Sequence, residues 1–313
     1  MQTLRYAGRR LVQMIPTLIF VTLAVFALNH LAPGNPARII LGQHAYPAAV
    51  AKLSRELGLD VPLWQQYLLF VWHAVHLNLG ISYTYRTAVG PIIGSHMGVT
   101  IFLVVLSIAL TFVVSLFLAV AAAVRVDGIV DHSVRVLAMV LFAMPPFWLG
   151  IMLILVLAVD APIFPVQGYG GSLGADVYHL VLPVLTVSAG LIVLILRPLR
   201  SKIAQILSSD FVDAARARGL SPGRIVWRHV VPNALISTVT LLALNLGYLL
   251  GGTVIVENVF GLPGLGQLLV QAVEARDYPV VEALALFFAV SVVVINFLAD
   301  IAYTLLDPRV SLE

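Results

Sequence analysis

The sequence predicts an all-α integral membrane protein that crosses the membrane with six helices. Of its 313 residues, 60% are apolar and 11% are charged, and the mean hydropathy is +1.01. Soluble domains contain about 25% charged residues, so this chain is not built to be surrounded by water. Six runs lack Asp, Glu, Lys and Arg and come near the roughly 20 residues that a helix needs to cross a bilayer.

These runs differ in length. They lie at residues 11–28, 99–124, 136–159, 180–196, 234–256 and 283–299. The second is long enough to tilt or to extend past the lipid, and the fourth and sixth need flanking residues to span it. Pro145 and Pro146 in the third run and Pro183 in the fourth are expected to bend or break their helices, which transporters tolerate where spans line a cavity.

The distribution of basic residues predicts the orientation. With both termini in the cytoplasm, thirteen of the 18 Lys and Arg residues lie inside and five lie outside, as the positive-inside rule requires. Arg5, Arg9 and Arg10 precede the first run, as in a signal peptide. That run is longer than the apolar region of a usual signal peptide, and no clear small-residue cleavage site closes it. We therefore interpret it as a retained helix.

The predicted spans divide the chain into four parts. Residues 1–31 form the cytoplasmic N-terminus and first helix, 32–98 an extracytoplasmic loop domain, 99–303 the membrane core and 304–313 a cytoplasmic tail. The core includes a cytoplasmic loop at 197–233. Within the outer loop, residues 63–78 have the pattern of a short amphipathic helix.

The most polar stretch of the chain reads "SSDFVDAARARGLSPGRIVWRHVVPNAL" at residues 208–235. Ser209, or the aspartate after it, is expected to cap a short helix. Gly219 follows "AARAR" as a glycine in the left-handed conformation follows a helix end. Ser221 then caps a second helix, with Pro222 at its first position, where no N–H is needed. The stretch predicts two short helices hinged at the glycine.

Two interpretations of this insert are open. Cytoplasmic loops of membrane proteins are generally basic, so it is consistent with an ordinary solvated loop. The two caps and the hinge instead favour a segment that docks on a partner. Ala214 and Ala215 would leave one face flat enough for another surface to approach, while Arg216 and Arg218 direct their charge elsewhere.

The insert also carries a family resemblance. "VDAARARGLSPGRIVWRHVVPNAL" resembles the coupling loop of ATP-binding-cassette importer permeases, and the chain is similar to the dipeptide/oligopeptide/nickel permease family in the branch of its first subunit. Further matching motifs, in order, are "APGNPA", "ELGLDVPLWQQYL", "LNLGISY", "MPPFWLGIMLIL", "HLVLPVLTV", "GGTVIVENVFGLPGLGQLLVQAVEARDYPVV" and "DIAYTLLDPRV". They cover nearly the whole chain. Asp213 stands where the general motif has Glu, which keeps the charge.

The resemblance implies a type I importer permease fold and a non-catalytic role as half of a heterodimeric pore. Its implied partners are a second homologous permease, two ATPase subunits that hold ATP and Mg²⁺, an extracytoplasmic substrate-binding protein and the lipid bilayer of a bacterial or archaeal plasma membrane. The insert becomes the coupling segment that drives alternating access. Its implied coupling residues are Asp213, Ala214, Ala215 and Gly219, with Arg216, Arg218, Ser221 and Pro222 as neighbours.

The residues themselves place the ATPase on another chain. A phosphate-binding loop needs Gly-Lys-Ser/Thr, whereas Lys52 follows an alanine and Lys202 follows a serine. Cysteine is absent, and His73 and His76 have no obvious carboxylate partner, so we expect no metal site and no cofactor on this chain. Basic residues do not interleave with aromatic residues on an exposed face, which argues against nucleic-acid binding.

Two polar residues of the fifth span are candidate pore or substrate contacts. Asn245 lies within the span, where an asparagine either faces the pore or holds helices together. Glu257 ends the span, as a substrate contact or as an interfacial carboxylate. "GGSLG" at residues 170–174 matches a hydrolase pattern, but its glycine-rich loop follows no predicted strand.

The predicted cargo is a di- or oligopeptide. The same machinery carrying a nickel chelate, glutathione or an oligosaccharide is the alternative, because the binding protein largely chooses the cargo. From a different class, a self-contained secondary transporter would show internal repeats and charges in mid-span. The sequence shows neither feature.

Overall fold

A computed structural model describes residues 2–31, 36–42, 45–56 and 58–306. Residues 32–35, which open the predicted loop domain, and 307–313 of the predicted tail lie outside these ranges. The described helices are α1 Gln2–Leu31, α2 Pro36–Leu41, α3 Pro47–Glu56, α4 Leu63–Val75, α5 Val89–Val124, α6 Ile129–Ala143, α7 Pro146–Ile154, α8 Leu173–Leu207, α9 Asp210–Ala217, α10 Pro222–Ile225, α11 Val231–Val259, α12 Leu265–Glu274 and α13 Tyr278–Leu306. In the described ranges the only β pairing is an isolated bridge between Ile81 and Ala88.

Five of the six predicted apolar runs lie within single helices, and the third is interrupted at Met144 and Pro145. Among the described residues, α5, α8 and Tyr278–Ala299 of α13 are long and apolar enough to cross a membrane. Helix α6, together with α7 and the π-helical segment Leu155–Asp160 that follows it, forms a broken fourth span. Helices α1 and α11 contain the shorter apolar stretches Val12–Ala27 and Leu249–Val259. The apolar helices therefore occur in the predicted order, and the crossing of the membrane by α1 and α11 stays a prediction.

The third span departs most from a straight helix. Met144 and Pro145 are extended, Pro146 starts α7, and the two helices meet at 100°. The extended conformation follows from the prolines, because a residue that precedes proline is pushed out of the helical region. A π-helical segment, Leu155–Asp160, continues α7. By contrast, α8 continues through Pro183 without a break.

Of the three helices that are long and apolar enough to cross a membrane, α8 is the most enclosed. In its most apolar window 72% of residues are buried, against 22% for α5 and for α13, so the other helices pack around it. One end of the bundle joins α5, α8 and the insert through a cluster that includes Ala123, Ile203 and Val212; we call it the insert end. The opposite, far end is held by a cluster that includes Val89 and Leu268.

Helix α12 at the far end was not predicted from the sequence. The Glu257 carboxylate of α11 accepts hydrogen bonds from the backbone N–H of Gly266 (2.6 Å) and Gln267 (3.2 Å) in the first turn of α12. A carboxylate at a helix N-terminus is favoured by the helix dipole. Thr100 of α5 donates its hydroxyl to the same carboxylate (2.7 Å) and accepts from Leu265 N–H (2.8 Å). The contacts join α5, α11 and α12.

A second buried carboxylate ties the loop after α4 to the start of α13. Asp277 accepts hydrogen bonds from the Ser82 hydroxyl and from the backbone N–H of Tyr83 (3.0 Å) and Thr84 (3.1 Å). Burial, with Glu282 and Asp277 nearby, raises the pKa of the Tyr83 phenol to about 12, so the phenol stays neutral at physiological pH. We call this group of contacts the Asp277 knot.

Close packing at Gly266 generates a stability prediction. A Cβ at Gly266 would lie 2.5 Å from the Val254 Cα and 2.9 Å from the Glu257 carboxylate. Because a backbone atom cannot move aside cheaply, we expect Gly266→Ala to destabilise the purified chain by about 1–3 kcal/mol, as overpacking does. Thermal unfolding in detergent measures the loss. The control is Gly251→Ala on α11, where a Cβ meets nothing within 4 Å; equal midpoints for the two variants would contradict the packing.

Candidate coupling site

Helix α9 follows α8 after two residues and is attached by one buried side chain. Val212 is fully buried in the insert-end cluster, and Ala215 is half-buried against it. Phe211, Asp213 and Ala214 are exposed. Of the two alanines predicted to form a flat face, Ala214 is exposed and Ala215 packs in part against the cluster, and their contact with a partner surface stays a prediction.

The first predicted cap is in position, but its side-chain bond is absent. Ser209 is the N-cap residue of α9 and makes no capping bond. Its hydroxyl instead donates to the Ile206 carbonyl (2.5 Å), a local bond that competes with capping. The backbone carbonyl of Ser209 accepts from Val212 N–H (2.9 Å) and so starts the helix.

Gly219 ends α9 as the sequence predicts. Its φ is +77°, its N–H donates to the Arg216 carbonyl (2.9 Å), and Leu220 N–H donates to the Ala215 carbonyl (3.2 Å). This pair of bonds is the Schellman motif. Leu220 also packs against the insert-end cluster, so the hinge has a defined shape.

The second predicted helix merges with the fifth span. Pro222 occupies the first turn of α10, and Ser221 is its N-cap, again without a side-chain bond. A π-helical segment, Val226–Val230, continues α10 directly into α11. Within the predicted 197–233 loop, α8 continues to Leu207 and α11 begins at Val231, so the insert between these two helices comprises residues 208–230.

The charged residues of the insert lie at its surface. Asp213 and Arg216 form an ion pair (3.0 Å) with both side chains more than half exposed, an arrangement worth little in stability. Arg218 is also exposed. These groups are therefore not needed to hold the insert together and are accessible to a partner surface.

A cleft of about 410 Å³ lies between the insert and the ends of α5 and α8. Its lining includes Val126 after α5, Leu207 of α8, and Arg216 and Pro222 of the insert. The insert is thus held at Val212 and at its hinge while part of its inner surface stays open.

An ion-pair group fixes the insert end of α8 to α6. The Arg200 guanidinium donates to both carboxylate oxygens of Asp131, at 3.0 and 2.5 Å. Asp131 is fully buried and also accepts from Asp127 N–H (3.0 Å), while Arg135 lies 3.2 Å away. The sequence indicates only that these arginines lie on the cytoplasmic side. It cannot predict the ion pair, because no spacing pattern links Asp131 with Arg200, 69 residues later.

The two candidate pore residues are not brought together. Asn245 is half-buried in α11, twelve residues or about 18 Å along the helix from Glu257. Its predicted contact with a pore or substrate stays a prediction. Glu257 is fully buried, and the partners of its carboxylate described above all lie within this chain. The arrangement gives Glu257 a role in holding α12.

The remaining sequence patterns have ordinary structural surroundings. Ser172 caps α8, with its Oγ accepting from Ala175 N–H (3.5 Å), and the His179 ring bonds to the Gly168 carbonyl (3.2 Å). Neither arrangement activates a nucleophile. In the part of the chain that the structure describes, no group of three or more His, Cys, Asp or Glu side chains is placed to hold a metal ion.

Comparisons with known proteins match this chain over almost its full length and point to one family. The family model "Binding-protein-dependent transport system inner membrane component" matches residues 115–312, and the N-terminal model of the same transport systems matches residues 3–103. The chain is 36% identical to the glutathione transport system permease protein GsiC of Salmonella paratyphi A (strain ATCC 9150 / SARB42), covering 98% of this chain and 99% of the relative. It is 34% identical to the dipeptide transport system permease protein DppB of Escherichia coli (strain K12), covering 98% of each.

A solved structure has the same fold. The inward-facing MetNI methionine ABC transporter matches with a TM-score of 0.54 and 20% identity, covering 69% of this chain and 96% of the matched chain. At that identity the likeness shows the fold alone. Together with the helices described above, it confirms the predicted all-α importer permease fold.

The hinge generates a second prediction. A left-handed conformation costs a residue with a Cβ roughly 1–2 kcal/mol, so Gly219→Ala should lose about that much stability and speed amide exchange at Leu220. Hydrogen–deuterium exchange of the purified chain measures the second effect. Gly223→Ala is the matched control, because a Cβ there also meets nothing within 4 Å and its φ is not positive. Unchanged exchange in Gly219→Ala would show that the Schellman bonds do not hold the hinge.

Proposed function

The chain belongs to the family of binding-protein-dependent transport system inner membrane components, and from this premise we propose that it is a permease subunit of an ATP-driven importer of short peptides. The observation that carries the proposal is identity of 34–36% over almost the full length of a dipeptide permease and a glutathione permease. Glutathione is itself a tripeptide, so both relatives point to the same class of cargo.

The insert is the proposed coupling site. Its α9 is anchored at Val212, exposes Asp213, Ala214 and Arg218, and is joined to α8 on one side and through α10 to α11 on the other. An ATPase that pulls on α9 therefore acts on two spans together. For ATP to drive alternating access, the ATPase must hold the insert differently in the two states, because equal affinity shifts no equilibrium.

The partners follow from the same proposal. ATP and Mg²⁺ bind on two separate ATPase chains, since this sequence has no Gly-Lys-Ser/Thr. A second permease completes the pore, and a binding protein delivers cargo at the far end. The excess of Lys and Arg in the segments assigned inside supports a cytoplasmic insert end and cytoplasmic termini. This permease performs no chemistry of its own.

The experiment combines purification and uptake. The chain, purified in mild detergent from its native membrane, should bring down a second permease, ATPase subunits and a binding protein. Cells that carry it should take up a labelled dipeptide or labelled glutathione, and a deletion strain should lose that uptake. Competition between the two cargoes separates them. Recovery of the chain alone, still active in transport, would instead support a self-contained transporter.

The proposed coupling role of the insert is tested separately in the same uptake assay, with one variant and one control. Gly219→Pro cannot adopt the positive φ of the hinge, so we expect it to abolish uptake while the chain remains in the membrane. Gly223→Ala should retain uptake. Full uptake by Gly219→Pro at normal expression would contradict the coupling assignment without touching the cargo assignment.

A further inference from the structure

Helix α4 presents an apolar ridge that the described residues of the chain leave exposed. Trp64, Leu68, Trp72 and Val75 recur at helical spacing, and each side chain is more than half exposed. The opposite side of α4 carries Tyr67, Phe70 and Ala74, which are partly buried. A contiguous row of large apolar side chains facing water is unfavourable and marks a contact surface.

The contact of α4 with α1 fixes its level relative to the membrane. The Tyr67 and Thr22 hydroxyls are 2.9 Å apart, and the Phe26 ring lies 5.5 Å from that of Tyr67 and 6.0 Å from that of Phe70. Thr22 lies five residues before the end of the apolar stretch Val12–Ala27. At 1.5 Å per residue, this places the contact roughly 7.5 Å inside that end of the stretch. Helices that lie in a membrane interface are buried about 5–10 Å.

The composition around α4 fits the same place. Residues 61–85 contain no Asp, Glu, Lys or Arg, although they lie outside the spans. Tryptophan is enriched where hydrocarbon meets headgroups, and two of the four tryptophans of the chain are on this ridge. At its edge, the His76 ring stacks on Trp72 at 4.2 Å and bonds to the Trp72 carbonyl (2.8 Å), which gives the ridge a polar border.

We propose that α4 is an interfacial helix that lies in the lipid leaflet at the far end, with the ridge of Trp64, Leu68, Trp72 and Val75 in the boundary between headgroups and acyl chains. The occupant of the ridge is lipid because α4 packs on α1 near one end of the apolar stretch Val12–Ala27, whose Ile19, Phe20 and Leu23 are themselves exposed. A charge-free surface at this depth needs no other partner.

The membrane contact has a consequence for the helices beyond it. Only seven residues separate the end of α4 at Val75 from Tyr83 in the Asp277 knot, and the knot holds the start of α13. The depth of α4 in the leaflet therefore sets the position of the α12–α13 junction relative to the membrane. The inference is independent of which cargo the importer carries.

The test uses the absence of cysteine from the chain. Leu68→Cys and, as a second ridge position, Val75→Cys are labelled with an environment-sensitive fluorophore in the assembled complex, reconstituted in nanodiscs. The same complex with the cysteine-free chain is the blank. Quenching is measured with lipids that carry a nitroxide near the headgroup and with aqueous iodide. Phe20→Cys, exposed within the apolar stretch of α1, is the lipid reference, and Ala48→Cys, exposed on α3, is the aqueous reference.

We expect both ridge labels to be quenched by the nitroxide lipid about as strongly as the Phe20 label and severalfold more than the Ala48 label. Ridge labels that are quenched as weakly by the nitroxide lipid as the Ala48 label, and that are quenched by iodide, would overturn the proposal in favour of a solvated helix. Ridge labels shielded from both quenchers would overturn it in favour of a protein partner on the ridge.

Discussion

The packing of α8 inside the bundle is the interaction on which the rest of the structure depends. Helix α8 contributes buried side chains to the clusters in the middle of the bundle and at the insert end. It is also clamped to α6 through Arg200 and Asp131. Since α9 begins three residues after α8 ends, a displacement of the insert has a short path into the most buried of the three long apolar helices.

The lipid environment favours side-chain hydrogen bonds between helices at certain places in the bundle. Backbone groups in a bilayer must be satisfied within the helices, so side-chain bonds between helices are valuable where helices end. Glu257 with Thr100, Asp277 with Ser82, and Asp131 with Arg200 each join segments far apart in the chain at one end of the bundle. These bonds hold the bundle at both ends, and between them lie mainly apolar contacts together with the hydrogen bond from the Ser188 hydroxyl to the Ser107 carbonyl (3.1 Å).

Much of this arrangement could be predicted because its causes are local. Apolar runs of sufficient length predict spans, and Gly219 and Pro222 predict a hinge and a helix start from backbone conformation alone. The amphipathic helix at residues 63–78 appears as α4 for the same reason. The two serines occupy the predicted N-cap positions, but neither makes the predicted side-chain capping bond. The Ser209 hydroxyl donates to the Ile206 carbonyl instead.

What the sequence could not predict depends on contacts across the chain. Helix α12 relies on Glu257 and on Thr100, which is 157 residues from that glutamate, and neither residue carries a periodic signal. The orientation of Ala215 depends on the buried surface under α9. The prolines indicate a break in the third span, but not its 100° angle.

The central claim is that the exposed face of α9 contacts an ATPase subunit. The most direct measurement places a photo-activated cross-linker on Ala214→Cys, which the cysteine-free chain allows. Ala48→Cys, in the predicted extracytoplasmic loop domain, is the reference. In the native membrane, the account predicts an ATPase cross-linked to position 214 and none to position 48. Position 214 without an ATPase adduct, in a complex that still retains its ATPases, would contradict it.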